Sequence, residues 1–229
     1  MNQDPFFQAT IEGLQLVGHR YVVLTLKSPA SFHFYAGQYT QLEFSDLDGR
    51  FKKYYSIASA PRSDHTFELC LLVDDTRVWQ WIRSQSLGQT VRVAPAAGNF
   101  HRPHPERRVI MIGGGSGITP LKALFEARAQ DLQSASTILL YGCQNDGEIP
   151  FYHELLAQTA RHPKMAVHFF AEDLITQRAQ QGRPLDQLHK FIDSEADYLL
   201  CGPKGMMESA HDLLIAQGIP PSHIHRDRP

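Results

Sequence analysis

The chain has 229 residues, with 22 basic and 24 acidic side chains and a formal net charge of -2 at pH 7. This length suits one large domain or two domains of about 100 to 125 residues each. The charge balance excludes the basic surplus of a general nucleic-acid or anionic-membrane binder, and 42% hydrophobic with 20% charged residues excludes a disordered or fibrous chain.

The cysteines and the apolar runs exclude further classes of protein. Cys70, Cys143 and Cys201 are widely spaced and odd in number, so neither a disulfide framework nor a paired metal site is predicted, and the usual iron–sulfur clusters need four ligands. Residues 1–5 do not form the start of a targeting segment, and no stretch approaches about 20 consecutive apolar residues. We therefore expect a cytoplasmic protein without a membrane-spanning segment.

The first half of the chain is predicted to be an antiparallel β-barrel or sandwich. Its apolar residues occur in short, often alternating runs that turn-forming residues separate. One stretch, at about 77–86, is predicted to be a helix. The predicted strands lie at 7–11, 21–26, 39–44, 54–58, 67–73 and 91–93.

The second half has a different periodicity. A polar segment with two prolines, 101–108, is the predicted linker, and we place the domain boundary so that the domains are 1–104 and 105–229. Beyond it, apolar runs alternate with helical stretches, which indicates βαβ units and an α/β domain with a parallel sheet of the nucleotide-binding type. The runs are 109–112, 137–141, 166–170 and 198–201, and the helices begin near 119, 150, 185 and 203.

A glycine-rich loop, Gly113 to Pro120, follows the first strand of this half and opens a helix. Glycines let the backbone turn sharply and approach a pyrophosphate, whose charge the free N–H groups of the helix then meet. Because Ile118 occupies the third glycine position counted from Gly113, this is not the Gly-x-Gly-x-x-Gly pattern, and no Lys-Ser/Thr follows as in a Walker loop. The loop favours phosphate binding over a plain strand-to-helix turn.

Together with four other motifs, this loop resembles the ferredoxin–NAD(P) reductase superfamily. The pieces occur in order over nearly the whole chain, and each would be weak alone. They are Gly37-Gln38-Tyr39, Tyr55-Ser56-Ile57-Ala58-Ser59, the segment from Pro95 through Gly98 to Phe100, the loop Gly113 to Pro120, and Cys201-Gly202-Pro203. The resemblance implies an FAD-binding antiparallel β-barrel followed by an NAD(P)-binding α/β domain.

The resemblance also implies roles at the flavin. The family motif Arg-x-Tyr-Ser corresponds to Lys53-Tyr54-Tyr55-Ser56, so Tyr55 is expected to pack on the isoalloxazine and Ser56 to offer its hydroxyl to flavin N5. In the family, the arginine of this motif binds the flavin diphosphate. Lys53 keeps its positive charge but cannot form the two parallel hydrogen bonds of a guanidinium, so weaker flavin retention is expected. Arg77 is a second expected phosphate ligand, and Trp79 packs either on the adenine or in the core. The remaining expected flavin contacts are Ile57, Ala58, Ser59, Gly98 and Phe100.

On the nicotinamide side, the resemblance places Thr119 and Cys201 beside the ring, and with Ser56 these are the expected catalytic residues. Cys201 is expected to shape the pocket, not to act as a nucleophile, and a buried structural cysteine is the alternative. The expected nucleotide contacts further include Gly114, Gly115, Ser116, Gly117, Gly202 and Pro203.

Nucleotide choice is expected to depend on the segment after the strand that ends at Tyr141. Asp146 in this segment could accept a hydrogen bond from a free ribose hydroxyl and repel a 2′-phosphate. NADH is therefore favoured over NADPH, unless a cation from a later connection, Arg178 or Arg183, reaches the same place.

We expect an FAD-dependent oxidoreductase that moves a hydride from NAD(P)H to flavin and electrons on to a separate acceptor. The acceptor would be a ferredoxin, a flavodoxin or an oxygenase component, with free flavin as an alternative. The alternative from another functional class is a non-catalytic regulatory subunit that binds flavin or nucleotide. The basic residues Arg50, Lys52 and Lys53 either meet an acidic partner or form a solvated face.

No metal site is predicted. The paired histidines, His101 with His104 and His223 with His225, lack a local carboxylate or thiol pattern to complete a ligand set. Many members of the family that the chain resembles end with an acidic residue two positions before an aromatic one, or with a terminal aromatic residue. Here Asp227 could take the acidic position, whereas Pro229 cannot supply an aromatic ring.

Overall fold

Two six-stranded sheets follow one another along the chain in the computed structural model, which describes residues 4–46, 49–74, 76–100 and 102–227. The predictions for His101 and Pro229 concern residues outside these ranges. The first sheet is antiparallel, in the order β4-β3-β6-β1-β2-β5. Its elements are β1 Phe7–Val17, β2 Tyr21–Lys27, β3 Tyr39–Asp46, β4 Gly49–Ser56, β5 Thr66–Leu72, α1 Thr76–Ser84 and β6 Thr90–Val93.

The first sheet closes on itself. An antiparallel bridge between Ile57, directly after β4, and Leu69 on β5 joins the two ends of the sheet. This confirms the predicted antiparallel β-barrel. Strand β4 begins five residues before its predicted start, because alternation of half-buried and exposed side chains continues through Phe51, Lys52 and Lys53.

Strands β2 and β5 separate two cores. On β5, Phe67, Leu69 and Leu71 point into the barrel, while Cys70 belongs to a second apolar cluster shared with the rest of the chain. Val23 on the neighbouring β2 lies in the same shared cluster. Since both faces are covered, β5 is a nearly continuous buried strand instead of an amphipathic one.

The second sheet is parallel, in the order β10-β9-β8-β7-β11-β12, which confirms the predicted α/β domain. Its elements are β7 Val109–Gly114, α2 Ile118–Gln130, β8 Thr137–Asn145, α3 Tyr152–Arg161, β9 Met165–Asp173, β10 Gln180–Gln181, β11 Asp197–Cys201, α4 Lys204–Ala216 and β12 Ile224–Arg226. The sequence did not predict β10 and β12, which are too short to show periodicity. The predicted helix near 185 is a short 3₁₀ helix, Pro184–Phe191, so that prediction was wrong in type.

Helix α2 joins the two halves. Eleven of its 13 residues are buried, and Leu124 and Phe125 pack in the shared cluster with Tyr21 and Phe100 from the first half. A helix that is buried on every side lies inside a protein, not on its surface. The predicted boundary between residues 104 and 105 falls in the segment between β6 and β7, and it stays a prediction. No helix in the described ranges has the length and apolarity to cross a membrane.

Candidate functional site

Two cavities lie where the two halves meet. The first, which we call the tyrosine cavity, has a volume of about 500 Å³ and takes its walls from both halves. The barrel contributes aromatic rings and the ends of β4 and β5, and the second half contributes the glycine-rich loop and the end of β11. The residues lining it are Tyr39, Tyr54, Tyr55, Ser56, Cys70, Leu72, Ser116, Gly117, Thr119, Pro120, Cys201, Gly202, Met207 and Asp227.

The second cavity, which we call the loop cavity, has a volume of about 480 Å³ and lies on the other side of the glycine-rich loop. Connections that follow β7, β8, β9 and β11 form most of its wall, as expected at the carboxyl edge of a parallel sheet. Arg20 and Tyr21, from the first hairpin of the barrel, complete it. Its other lining residues are Gly114, Gly115, Gly142, Cys143, Gln144, Glu148, Glu172, Gly182, Arg183, Pro184, Leu185, Pro203, Gly205, Met206 and Ser209.

Close backbone contact divides the two cavities. A Cβ atom built on Gly117 would lie 2.2 Å from the carbonyl oxygen of Cys201, and one on Gly202 would lie 2.9 Å from the backbone nitrogen of Gly114. Gly202 also has a φ of +151°, which L side chains rarely adopt. Only glycine fits at these positions. The wall between the cavities is therefore two backbone segments in direct contact.

The three predicted catalytic residues come together in the tyrosine cavity. Ser56 ends β4, Thr119 lies in the first turn of α2, and Cys201 ends β11. The Thr119 hydroxyl donates to the carbonyl oxygen of Ser116 at 2.8 Å, which ties the side chain to the loop. Three distant parts of the sequence thus meet at one site, while their chemical roles remain predictions.

Cys201 is held as a neutral thiol. Burial raises its pKa well above the ordinary value, and the nearby Asp227 carboxylate, with Sγ to Oδ2 at 3.5 Å, raises it further. Because the thiolate is the nucleophilic form of cysteine, this environment suits the expected pocket-shaping role. Asp227 also lines the cavity, at the place where the sequence suggested an acidic residue.

Asp146 does not lie where the sequence predicted. It is fully buried, and its carboxylate accepts backbone N–H bonds from Ile175, Thr176 and Arg178 at 2.7, 2.9 and 2.9 Å. Burial raises its pKa, but the three donors outweigh burial and lower the pKa to about 2. The carboxylate organises the connection after β9 and lines neither cavity, so the prediction that it contacts a ribose was wrong.

Four other predicted contacts lie in the core. Ile57, Ala58 and Ser59 are fully buried behind the tyrosine cavity, and the Ser59 hydroxyl accepts the backbone N–H of Glu68 at 3.1 Å. Phe100 is 5% exposed and packs in the shared cluster. The sequence motif located the right segments, but the side chains after Ser56 turn inward. These four residues support the cavity wall instead of forming it.

The remaining predicted contacts lie around the barrel, outside both cavities. Lys53 is half-buried on β4, two residues before Tyr55, and the Arg77 guanidinium lies 4.1 Å from the centre of the Phe51 ring. Trp79 packs against the barrel core, as one of its two predicted placements required. Gly98 supports the site indirectly, because a Cβ there would lie 2.6 Å from the Tyr39 ring.

Sequence reasoning missed several lining residues. Tyr39 and Tyr54 form an edge-to-face pair with ring centroids 5.4 Å apart in the tyrosine cavity. Glu172, which the sequence did not single out, forms an ion pair at 2.7 Å in the wall of the loop cavity with Arg183, one of the two cations that the sequence offered there. The rule that ligands bind at the carboxyl ends of parallel strands could have pointed to Glu172, which lies at the end of β9. No sequence signal indicated that Arg20 and Tyr21, in the hairpin between β1 and β2, would line the loop cavity.

Comparison with known proteins shows what the chain resembles. Residues 111–212 match the family model described as an oxidoreductase NAD-binding domain. The toluate 1,2-dioxygenase electron transfer component of Pseudomonas putida is 24% identical over 99% of this chain and 68% of its own length. The chain is similar to members of the ferredoxin–NAD(P) reductase superfamily.

Two further comparisons agree with this similarity, one in sequence and one in fold. The ferredoxin reductase component of 3-ketosteroid-9-alpha-monooxygenase from Rhodococcus rhodochrous is 28% identical over 86% of this chain and 56% of its own. The FAD/NAD-binding domain of nitric oxide dioxygenase from Vibrio cholerae has the same fold, with a TM-score of 0.83, 22% identity, and coverage of 96% of this chain and 97% of that one. The chain spans about half to two thirds of the length of these curated relatives.

We expect Gly117→Ala to destabilise the protein by about 1–3 kcal/mol, because the added methyl group must push the Cys201 backbone away. Gly205→Ala is the matched control, since a Cβ there meets nothing within 4 Å and the residue lies in helix α4. That change should be neutral or stabilising by up to about 1 kcal/mol. Urea unfolding of both variants checks this, and equal stabilities would contradict the tight contact.

We expect Asp146→Asn to cost about 1–3 kcal/mol near neutral pH, because the amide cannot satisfy all three buried N–H donors. A folded-state pKa of about 2, below the ordinary value of an aspartate, means that the carboxylate stabilises the fold above pH 4. That contribution is lost as pH falls from about 4 towards 2.

Urea midpoints measured across this pH range provide the test. The gap between wild type and Asp146→Asn should narrow as pH falls, while the exposed control Glu106→Gln should stay close to wild type throughout. A gap that stays constant down to pH 2 would show that the carboxylate charge does not carry the effect.

Proposed function

We propose that this protein is an NAD(P)H-dependent flavoprotein reductase that binds FAD with its ring system in the tyrosine cavity and the pyridine nucleotide in the loop cavity. The contact of Gly117 with Cys201 and Gly202 carries this proposal, because it brings two cavities of suitable size to either side of one thin backbone wall. Two planar cofactors can react only when their rings meet, so the nicotinamide ring must extend past the edge of this wall into the tyrosine cavity, beside Thr119 and Cys201.

The chemistry of the tyrosine cavity fits a flavin ring system. The rings of Tyr39, Tyr54 and Tyr55 line it, and aromatic faces stack on planar conjugated rings. Ser56 and Thr119 add short hydroxyl groups. We assign the diphosphate of FAD to Lys53 and Arg77, the cations nearest to this strand and to the start of α1.

The loop cavity fits a pyridine nucleotide. Gly114 and Gly115 of the glycine-rich loop line it, and so do Gly205 and Met206 in the first turn of α4, a helix start where anions bind favourably. The Tyr141 hydroxyl donates to the carbonyl oxygen of Gly115 at 3.0 Å and holds the loop in place. Arg20 faces this loop from the barrel and supplies a positive charge suited to a diphosphate.

When bound, NAD(P)H supplies a hydride to FAD, and FAD passes the two electrons on to the acceptor. The protein's residues bind and orient. Tyr55 fixes the plane of the ring, and Ser56 places a hydroxyl beside it. Thr119, tied to the loop, and Cys201, held neutral, would border the place of the nicotinamide ring in the tyrosine cavity and exclude water without adding a charge there.

We further propose that NADH is preferred over NADPH, on grounds that differ from the sequence argument. Arg183 reaches the loop cavity, but the Glu172 carboxylate lies 2.7 Å away and neutralises its charge. A 2′-phosphate needs an unpaired cation, and Glu148 adds another negative charge to the same wall. Asp146 does not contribute to this proposed preference, because its buried carboxylate already accepts three backbone N–H bonds from the connection after β9.

Glu172→Gln should therefore improve the use of NADPH, because it leaves the Arg183 guanidinium free for a phosphate. We expect the KM for NADPH to fall roughly tenfold while that for NADH changes little. Glu106→Gln, at an exposed carboxylate outside the loop cavity, is the matched control. An unchanged ratio of the two KM values, or a wild type that already prefers NADPH, would contradict the proposed NADH preference.

The acceptor is proposed to be a separate ferredoxin or oxygenase component. Two relatives are, by name, an electron transfer component and a ferredoxin reductase component of oxygenase systems. The exposed Tyr54, with Lys52 on the same strand, places an open surface next to the tyrosine cavity where such a partner can approach the flavin.

An anaerobic visible spectrum of the FAD-loaded protein tests the proposal. Addition of limiting NADH should bleach the flavin absorbance, and addition of an oxidised ferredoxin should then restore it. Flavin that separates from the protein during gel filtration yet is still reduced would indicate a free-flavin reductase. If the protein does not bind FAD and NADH does not bleach the flavin absorbance, the proposed enzymatic activity is contradicted. A non-catalytic nucleotide-binding subunit would then be the remaining interpretation.

A further inference from the structure

Five charged side chains meet at the interface between the barrel and the parallel-sheet domain, and we call them the charge cluster. The barrel contributes Arg62 and Glu68, helix α2 contributes Lys122 and Glu126, and helix α3 contributes Glu154. The Lys122 side chain is fully buried, and its Nζ lies 2.6 Å from Glu68, 2.6 Å from Glu126 and 3.1 Å from Glu154. The mechanism proposed above uses none of these groups.

The cluster is complete without a metal ion. The three carboxylates bring oxygen atoms within 4.8 Å of one another, a spacing that could hold a cation. The Lys122 ammonium already contacts all three. Burial lowers the pKa of Lys122, but the carboxylates outweigh burial and raise it, so the ammonium stays charged.

The cluster is bonded to both walls of the tyrosine cavity. Lys122 Nζ donates to the carbonyl oxygen of Ala58 at 3.1 Å, and Ala58 follows Ser56 by two residues. Lys122 itself follows Thr119 by three residues, within one turn of α2. On the barrel side, Glu68 precedes Cys70 by two residues on β5. Each domain therefore holds the cluster within two or three residues, along the chain, of a residue that it presents to the cavity.

A second direct bond crosses the interface at the same place. The backbone N–H of Ala60 donates to the Glu126 carboxylate at 2.9 Å. Arg62, two residues further on, pairs with Glu68 and Glu126 at 3.1 and 3.7 Å. The segment after β4 is thus tied to helix α2 through backbone and side chain together.

We propose that Lys122 is a positioning residue for the reduction of FAD: by tying the segment after Ser56 to the helix that carries Thr119, it fixes the gap in which the two cofactor rings meet. This inference rests on the proposed function. It requires no contact between Lys122 and either cofactor. Displacement of Lys122 would separate its ammonium from the buried carboxylates of Glu68 and Glu126, which is costly in the interior of a protein.

Lys122→Met removes the charge while keeping an unbranched side chain. We expect the rate of flavin reduction at saturating NADH, measured by rapid mixing, to fall roughly 10- to 100-fold, because small misplacements of reacting groups cost this much. Dissociation constants for FAD and NADH should change less than threefold, since the residues that line the cavities are untouched. Because Lys122→Met removes the one cation that contacts all three carboxylates, Lys122→Met with Glu126→Gln restores the net charge of the cluster and serves as the second variant.

Arg128→Met is the matched control. Arg128 is a buried cation on the same helix, but it bonds Thr137 and backbone carbonyls of residues 104–107 and 135, none of which lies in the barrel sheet. It should lower the urea midpoint as Lys122→Met does, while leaving the rate of flavin reduction within twofold of wild type.

Hydrogen–deuterium exchange of the cofactor-free chain gives a readout independent of catalysis. The Ala60 amide should exchange at least tenfold faster in both Lys122 variants and at the wild-type rate in Arg128→Met. Wild-type protection of Ala60 together with a wild-type reduction rate in the Lys122 variants would overturn the positioning role. If the wild type fails to reduce flavin at all, the proposed function fails, and the exchange data alone then decide whether Lys122 ties the two domains.

Discussion

Helix α2 packs on all sides between the barrel and the parallel sheet, and the geometry of both cavities depends on that packing. Its first turn carries Thr119, directly after the glycine-rich loop, and its middle carries Lys122 and Glu126, which bond to the barrel. Its last turn carries Arg128, which binds the carbonyl groups of the connecting segment. A displacement of this helix would therefore move the loop, the domain interface and the connection together.

The second constraint is steric. At Gly117 and Gly202 the two strand-to-helix connections approach so closely that no side chain can be added to either glycine. Residues on one side of the contact, Ser116 and Cys201, face the tyrosine cavity, and those on the other, Gly115 and Pro203, face the loop cavity. The glycines at this contact thus bring the two cavities next to each other.

Local patterns predicted much of this architecture. Alternating runs predicted the barrel strands, and the change of periodicity after residue 108 predicted the parallel sheet. The motif residues Ser56, Thr119 and Cys201 were predicted to share a site, and they line one cavity. These predictions succeeded because strand alternation and glycine-rich turns are local properties of the sequence.

The errors have long-range causes. Asp146 follows β8 at the expected place, but the connection after β9 folds back and occupies its carboxylate with three N–H groups. Ile57, Ala58 and Ser59 turn inward because the chain closes the barrel there. Arg20 reaches the loop cavity only through the docking of the two domains. None of these placements can be derived from neighbouring residues.

The central claim is that the two cavities bring a flavin and a nicotinamide into contact in the tyrosine cavity, beside the Gly117–Cys201 contact. The most direct test is the absorbance spectrum of the FAD-loaded protein, reduced anaerobically with dithionite and then titrated with NAD⁺. Stacked rings should give a new band at a longer wavelength than either cofactor alone produces. If equilibrium dialysis shows that both cofactors are bound and no such band develops, the cavities do not bring the rings together and the account is contradicted.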